Sequence, residues 1–311
     1  MKRISVLYME ALSVFLLAAV FLLTGCARKP QYREEAYVLE QEHAVTFTDG
    51  GTADLWRAGH GPYSCYKLTD GTALLHVHDV SGPDHVYVGG IDGFDNLNQT
   101  AQASVKAYYE KQGLLYDIRR ELEDAYSEYS RCRDNGTGYE ARRISQDISP
   151  TASNDTIMCF LTTVSLPLTG GSVKEIRLGA VFDRETGRVL SNWELFSLPE
   201  DEARQWILKA ADISDPGLLS EMEAAMKPEY IILFPDVLEV AFPQGTLPSQ
   251  EYSYVVGFDY DKELKAVLRP WAVPDSRQGV GKIGENGIMG VSELYFRTGF
   301  WYNRRKFLHG L

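Results

Sequence analysis

The apolar pattern changes its period twice along this chain, which is the strongest single constraint on its architecture. Early stretches at 37–47, 64–68, 73–80 and 85–88 read as strands punctuated by glycine. From about Asn98 to Cys132 glycine and proline nearly vanish, and Leu115, Ile118, Leu122, Ala125 and Tyr129 recur at steps of three and four. That spacing predicts one long helix, with Gly113 as an irregularity and Asn135-Gly136 as its stop. Arg119, Arg120, Glu123 and Glu128 lie off the apolar stripe, so one helix face packs and the other is wet. Strand chemistry then returns. The stretches 139–148 and 157–166 flank a Pro-Thr-Ala-Ser-Asn-Asp turn region and are expected to pair as a hairpin, as is the run 173–182. Helices are expected at 199–211 and 218–226, and strands at 230–234 and 237–242. The clearest alternation is Tyr252, Tyr254, Val256, Phe258 and Tyr260, with Glu251, Ser253, Gly257 and Asp259 on the other face. Grouped strands with interposed helices predict an α+β fold, a largely antiparallel sheet packed with one long helix and two or more shorter ones.

The first residues carry a different message. Lys2 and Arg3 precede a run that is apolar from Ala11 to Leu23 apart from Ser13, followed by the small residues Thr24 and Gly25 and then Cys26. This is the layout of a secretion signal. Glu10 shortens the apolar core below the roughly twenty residues that span a bilayer, which argues against the alternative of a short membrane anchor. Leu23-Thr24-Gly25-Cys26 resembles the lipobox of bacterial lipoproteins. The resemblance implies that Cys26 receives a diacylglycerol thioether and becomes the first residue of the mature chain. Acylation would then hold the protein stably on the outer face of the cytoplasmic membrane. The expected organisation is a signal peptide over 1–25, a polar tether over 26–36, an extracytoplasmic domain over 37–275 and an extension over 276–311. A division of the domain near residue 197 stays open.

The formal net charge of -12 excludes one class of partner. An acidic surface repels phosphate backbones, so nucleic-acid binding is not expected. Beyond Cys26 the cysteines are Cys65, Cys132 and Cys159, too far apart for a Cys-x-x-Cys pair. They permit one disulfide at most, and three buried thiols acting as small hydrophobes is the favoured reading.

Gly179-Ala-Val-Phe-Asp183-Arg-Glu-Thr-Gly187-Arg-Val-Leu190, followed by Trp193-Glu-Leu-Phe196, resembles the "fDl-tGk-ltl-dlF" segment of a family of extracytoplasmic domains of unknown function. Members of that family form the outer part of an anti-sigma-V factor and accompany the catalytic domain of some peptidoglycan deacetylases. Ile91 to Asn98, Tyr230 to Phe242 and Tyr252 to Leu268 resemble further parts of it, so the likeness covers roughly residues 85 to 270. Where the family often has Gly-Gly-Ala-His, this chain has Gly170-Gly171-Ser172-Val173, and no role of that histidine carries over. The motifs are structural. The resemblance implies a sensing or binding module, since the anti-sigma-V ectodomain binds lysozyme and the deacetylases act on cell-wall glycan.

One cluster has the residue types of a metal site: His76-Val77-His78-Asp79, with Asp84 and His85 close behind. Alternation puts both imidazoles on one strand face with acids adjoining, a plausible zinc arrangement. It matches no metalloenzyme signature, and a polar strand face backed by packed Leu75 and Val77 is the preferred reading. Gly279-Val-Gly281-Lys282 lacks the spacing of a phosphate loop. Asp92, Asp95, Asn96 and Asn98 fit a loop and helix cap better than a calcium loop. Trp56, Tyr63 and Tyr66 have the chemistry to stack on sugar rings, although aromatics among strands more often serve the core. Past Pro274, Arg297, Arg304, Arg305 and Lys306 interleave with Phe300, Trp301, Tyr302 and Phe307; packing back onto the domain is preferred to lying on an anionic membrane. The expectation is a lipid-anchored binding or sensing module without catalytic residues or cofactor, for a cell-wall glycan or a lysozyme-like protein. The Gly-rich loops between residues 49 and 93 are its expected contact surface. Two other readings stay open: a metal-dependent envelope hydrolase using His76 and His78 with Asp79 or His85, and a structural envelope lipoprotein.

Overall fold

Two antiparallel meanders, one on each side of the helical stretch, join edge to edge into a single sheet. The computed structural model describes residues 39–58, 63–79, 81–82, 85–86, 94, 97–167, 173–274 and 302–304. The first meander is β1 (Leu39–Thr46), β2 (Thr52–Ala58), β3 (Tyr63–Leu68) and β4 (Ala73–Asp79). The chain leaves this sheet through the two-residue strands β5 (Ser81–Gly82) and β6 (His85–Val86) and two helices, α1 (Gln99–Gln112) and α2 (Ile118–Asp134). It returns as β7 (Arg142–Ser153), followed by β8 (Ile157–Pro167), β9 (Val173–Asp183) and β10 (Val189–Leu190). The strand order is β1-β2-β3-β4-β7-β8-β9-β10. Every neighbouring pair in it is antiparallel except β4 with β7, where Leu75 lies opposite Arg142 and Asp79 opposite Gln146. A smaller sheet follows, β11 (Ile231–Leu233), β12 (Val237–Phe242), β13 (Tyr254–Asp259) and β14 (Tyr302–Arg304). It packs with α3 (Glu200–Ala210), α4 (Pro216–Ala225) and α5 (Lys262–Val267). The fold is α+β, as the pattern predicts. Among the described residues no helix is long and apolar enough to cross a membrane.

The predicted long helix is two helices. Gly113 takes φ +64, a left-handed conformation that glycine adopts without strain, and its N–H closes on the Tyr109 carbonyl to end α1. Asp117 starts α2 by accepting from the N–H groups of Arg119 and Arg120. The link is fixed from the sheet: buried Gln146 accepts from Leu115 N–H at 2.8 Å and donates to the Gly113 carbonyl at 2.9 Å. The apolar stripe read across Gly113 therefore belongs to α2 and its approach, where Leu122 and Ala125 pack under β2 to β4 and β7. The first helix buries its own face, Ala101, Val105 and Tyr109, against Phe160 and Phe182. Glu128, expected on the wet face, turns to the sheet, where Arg142 donates to it at 3.0 Å and also approaches buried Glu121 at 3.6 Å.

Three strand readings also shift. The stretch 52–58 pairs on both edges, although its mixed composition shows no alternation. Pro150 to Ser153 belongs to β7, with Pro150 at a bulge where its missing N–H is tolerated, and the turn shrinks to Asn154-Asp155-Thr156. Asn154 holds that turn by accepting from Thr156 and Ile157 N–H while donating to the Trp271 and Val273 carbonyls. The alternating strand β13 is covered on both faces: Val256 and Phe258 join the largest apolar cluster, and Val255 joins the one formed by Leu161, Ile232 and Phe234. Tyr252 precedes the strand and is exposed. The largest cluster takes residues from both sides of position 197. Of the three thiols expected in the core, Cys65 and Cys159 are buried, while Cys132 on α2 is only half-buried. Burial pushes the Cys159 thiol up to about 12, which keeps it protonated and unreactive.

Candidate functional site

The helix-facing side of the large sheet is core, so chemistry has to be sought on the other side. Strand registers define three rows there. Trp56, Cys65, His76 and Arg143 line up across β2, β3, β4 and β7. One step along, Tyr63, His78, Ser145, Ser165 and Glu175 line up across β3, β4, β7, β8 and β9. Asp147, Thr163 and Arg177 form the third row. Period-two alternation places all of these on one face, while Leu75, Val77 and Ile144 point to the helices.

Within this face the Tyr63 hydroxyl lies 2.6 Å from His76 Nδ1, and both side chains are buried. The bond fixes the imidazole ring against the phenol, with the direction of donation set by the tautomer. The Tyr63 ring sits 6.0 Å from the His76 ring, nearly parallel, and 6.3 Å from His78. Towards solvent lie half-buried His78 and Ser145 and exposed Arg143 and Asp147. Crowding by the surrounding protein raises the Asp147 carboxyl above the usual range, while His78 and a hydrogen bond from Ser145 pull it back. Asp147 is thus exposed on the surface while neighbouring protein still restricts its hydration. Half-buried Trp56 flanks the first row. Tyr63→Phe removes only the hydroxyl that faces His76, and urea denaturation is expected to show a loss of about 0.5–1.5 kcal/mol. An unchanged midpoint would mean that this bond does not order the face.

Beyond the third row the face runs under the small sheet. Arg177 Nη2 sits 2.8 Å from Glu239 Oε2, and both residues are buried. Glu175 lies 3.8 Å from the same guanidinium. Burial raises both carboxyls, Arg177 lowers both, and Glu239 raises Glu175 further. Buried Glu239 and half-buried Glu175 therefore compete for one buried cation.

The residues singled out in the sequence separate as follows. His76 and His78 share a face, with Leu75 and Val77 packed behind them. Of Asp79 and His85 the structure describes backbone only, and Asp84 lies outside the described residues. Among the described residues no three His, Cys, Asp or Glu side chains gather closely enough to hold a metal ion. The acid that reaches His78 is Asp147, which arrives from β7 across the parallel pairing and has no local signal in the sequence. Tyr66 leaves the aromatic group: it lies opposite Leu75 in the core under α2, while Trp56 and Tyr63 stay on the polar face. Asn98 caps α1, accepting from Ala101 N–H at 2.9 Å and donating to the Glu185 carbonyl. Cys26 lies outside the described residues, as does most of the extension past Pro274.

The segment that carries the family resemblance is a packing device. Asp183 Oδ1 accepts from Thr186 N–H and its hydroxyl, which holds the carboxyl below its ordinary range, and Gly187 closes the turn onto the Asp183 carbonyl. Ser191 and Glu194 form a reciprocal cap at the next turn. Buried Asn192 donates to the Gly179 and Ile231 carbonyls and so ties the two sheets together.

Fold and site together define an α+β domain with one sheet face packed by helices and the other carrying polar and aromatic rows. No protein-family model matches the sequence, and no curated protein matches it. Solved structures similar to the chain include a DUF3298 family protein from Pseudomonas aeruginosa PAO1, at 13% identity over 76% of this chain and 97% of that one, with a TM-score of 0.35. A member of the DUF3298 family from Bacteroides fragilis is similar at 10% identity, over 75% of this chain and 92% of that one, with a TM-score of 0.38.

Proposed function

We propose that the chain is a lipid-anchored extracytoplasmic binding module that takes a peptidoglycan-related glycan on the polar face of its large sheet. The observation that carries this reading is the grouping of exposed Arg143 and Asp147 with His78 and Ser145, flanked by Trp56. A sugar offers hydroxyls to charged and polar groups and an apolar ring face to an aromatic, and this face supplies both. The lipobox around Cys26 supports the compartment, and the resemblance of Gly179 to Phe196 to an envelope-associated family supports the ligand class.

A soluble fragment starting near residue 37 tests the reading by calorimetry against soluble glycan fragments and against lysozyme, with hydrolysis and deacetylation followed in parallel. Saturable glycan binding is expected, lost in an Arg143→Ala/Asp147→Asn variant that keeps its melting temperature. Heat with lysozyme alone moves the ligand class to a basic protein, which an acidic domain attracts. Turnover that requires a divalent metal and disappears in His76→Ala replaces the binding module with the hydrolase. A folded fragment that binds neither ligand points to the structural lipoprotein. For the anchor, Cys26→Ala is expected to abolish lipid labelling and move the protein out of the detergent phase. Continued partitioning with lipid after signal cleavage would place the anchor elsewhere.

A further inference from the structure

The smaller sheet ends in a strand supplied from far along the chain. Tyr302, Asn303 and Arg304 pair in parallel with Val255, Val256 and Gly257 of β13. A parallel partner advances in the same direction as the strand it joins, so a segment continuing the strand past Arg304 would be led towards Phe258 and Asp259. There a cavity of about 150 Å³ opens between β13, the end of α3 and the start of α5. Its walls are of two kinds, the apolar Trp206 and Phe258 and the acidic Asp212, Asp259, Asp261 and Glu263. The residues that follow Arg304 are also of two kinds: Arg305 and Lys306, then Phe307 and Leu308. Direction, distance along the chain and charge all match.

We infer that this cleft is the docking seat of the chain's own C-terminal segment, residues 305–308, with β14 as the strand that leads it in. Because side chains alternate along an extended segment, one of Arg305 and Lys306 would meet the carboxylates and one of Phe307 and Leu308 would meet Trp206 and Phe258. Main-chain pairing to a sheet edge supplies the hold and the cleft supplies selectivity, as in strand-addition recognition elsewhere. It also caps an edge that would otherwise offer unpaired backbone groups to other chains.

Trypsin reads this directly on the full-length protein in detergent, because Arg304, Arg305 and Lys306 are its cleavage points in the segment. Cleavage there is expected to be slow and to accelerate at least about tenfold, a loss of roughly 1.4 kcal/mol of protection, in an Asp212→Asn/Glu263→Gln variant. Asparagine tolerates the left-handed φ of +51 at position 212, and the Asp261 cap of α5 is untouched, so the variant keeps the fold. Deleting residues 291–311 is expected to lower the melting temperature and leave binding to anionic vesicles unchanged. Rapid cleavage at equal rates in both proteins overturns the inference. So does protection that appears only with anionic vesicles, which would assign the segment to the membrane, or a deletion that leaves the melting temperature where it was.

Discussion

Arg177→Met is expected to lower the unfolding free energy by about 3–5 kcal/mol, because it removes the cation from a site that holds two carboxylates. Glu239 has almost no access to water, and the Arg177 guanidinium at 2.8 Å is the cation that offsets the burial of its charge. The pH dependence follows from the direction of the shifts. Glu239 and Glu175 have folded-state pKa values raised above their unfolded ones, so the folded state binds more protons between the two values. The contribution of these groups is therefore fully present below the unfolded pKa and falls as pH rises through the folded one. Removing Arg177 removes the influence that lowers both, which widens that window. Denaturation at about pH 4.5 and about pH 7 is expected to show the larger deficit at the higher pH. Glu175→Gln, which relieves the competition, is expected to be neutral or stabilising at about pH 7. A loss below about 1 kcal/mol in Arg177→Met would mean that water or another cation already reaches Glu239.

Gly187→Ala is the other large effect. The residue sits at φ +69, and an added Cβ would come within 2.4 Å of the Ala101 carbonyl oxygen and 2.7 Å of the Ala101 Cα. Those are backbone atoms of α1, which cannot turn aside as a side chain can. The left-handed conformation costs about 1–2 kcal/mol for a non-glycine residue, and forcing the helix away costs about 1–3 kcal/mol more. Gly136→Ala separates the two contributions, since it has φ +64 and nothing within 4 Å of an added Cβ. The expected order of stability is wild type, Gly136→Ala, then Gly187→Ala. Equal losses in the two variants would show that the contact with α1 contributes nothing.

These two sites also mark how far the sequence was readable. Asp183 and Gly187 stood out because a tight turn needs its own residue types at fixed offsets, and the structure places them in such a turn. The grouped strand stretches led to the α+β class because alternation is a local property of each strand. Gly113 was visible as an irregularity, yet whether a glycine bends a helix or ends it depends on Gln146, which lies 33 residues away. The same limit applies to the polar face. His76 and His78 are neighbours in sequence and could be placed on one face. Arg143 and Asp147 join them through a parallel register between strands separated by two helices, and no local pattern encodes that register. Tyr66 was grouped with Trp56 and Tyr63 by residue type, while strand parity alone sends it to the core.

The parallel pairing of β4 with β7 has a further consequence. It is a seam between two meanders that are each built from sequence-local contacts, joined across the intervening helices. Tyr63, His76 and His78 lie on one side of the seam, and Arg143, Ser145 and Asp147 on the other. A ligand seated across these rows would hold the two halves together as a clasp does. Occupancy and seam closure would then be thermodynamically linked, so a bound glycan would slow amide exchange most strongly along the β4 and β7 backbones.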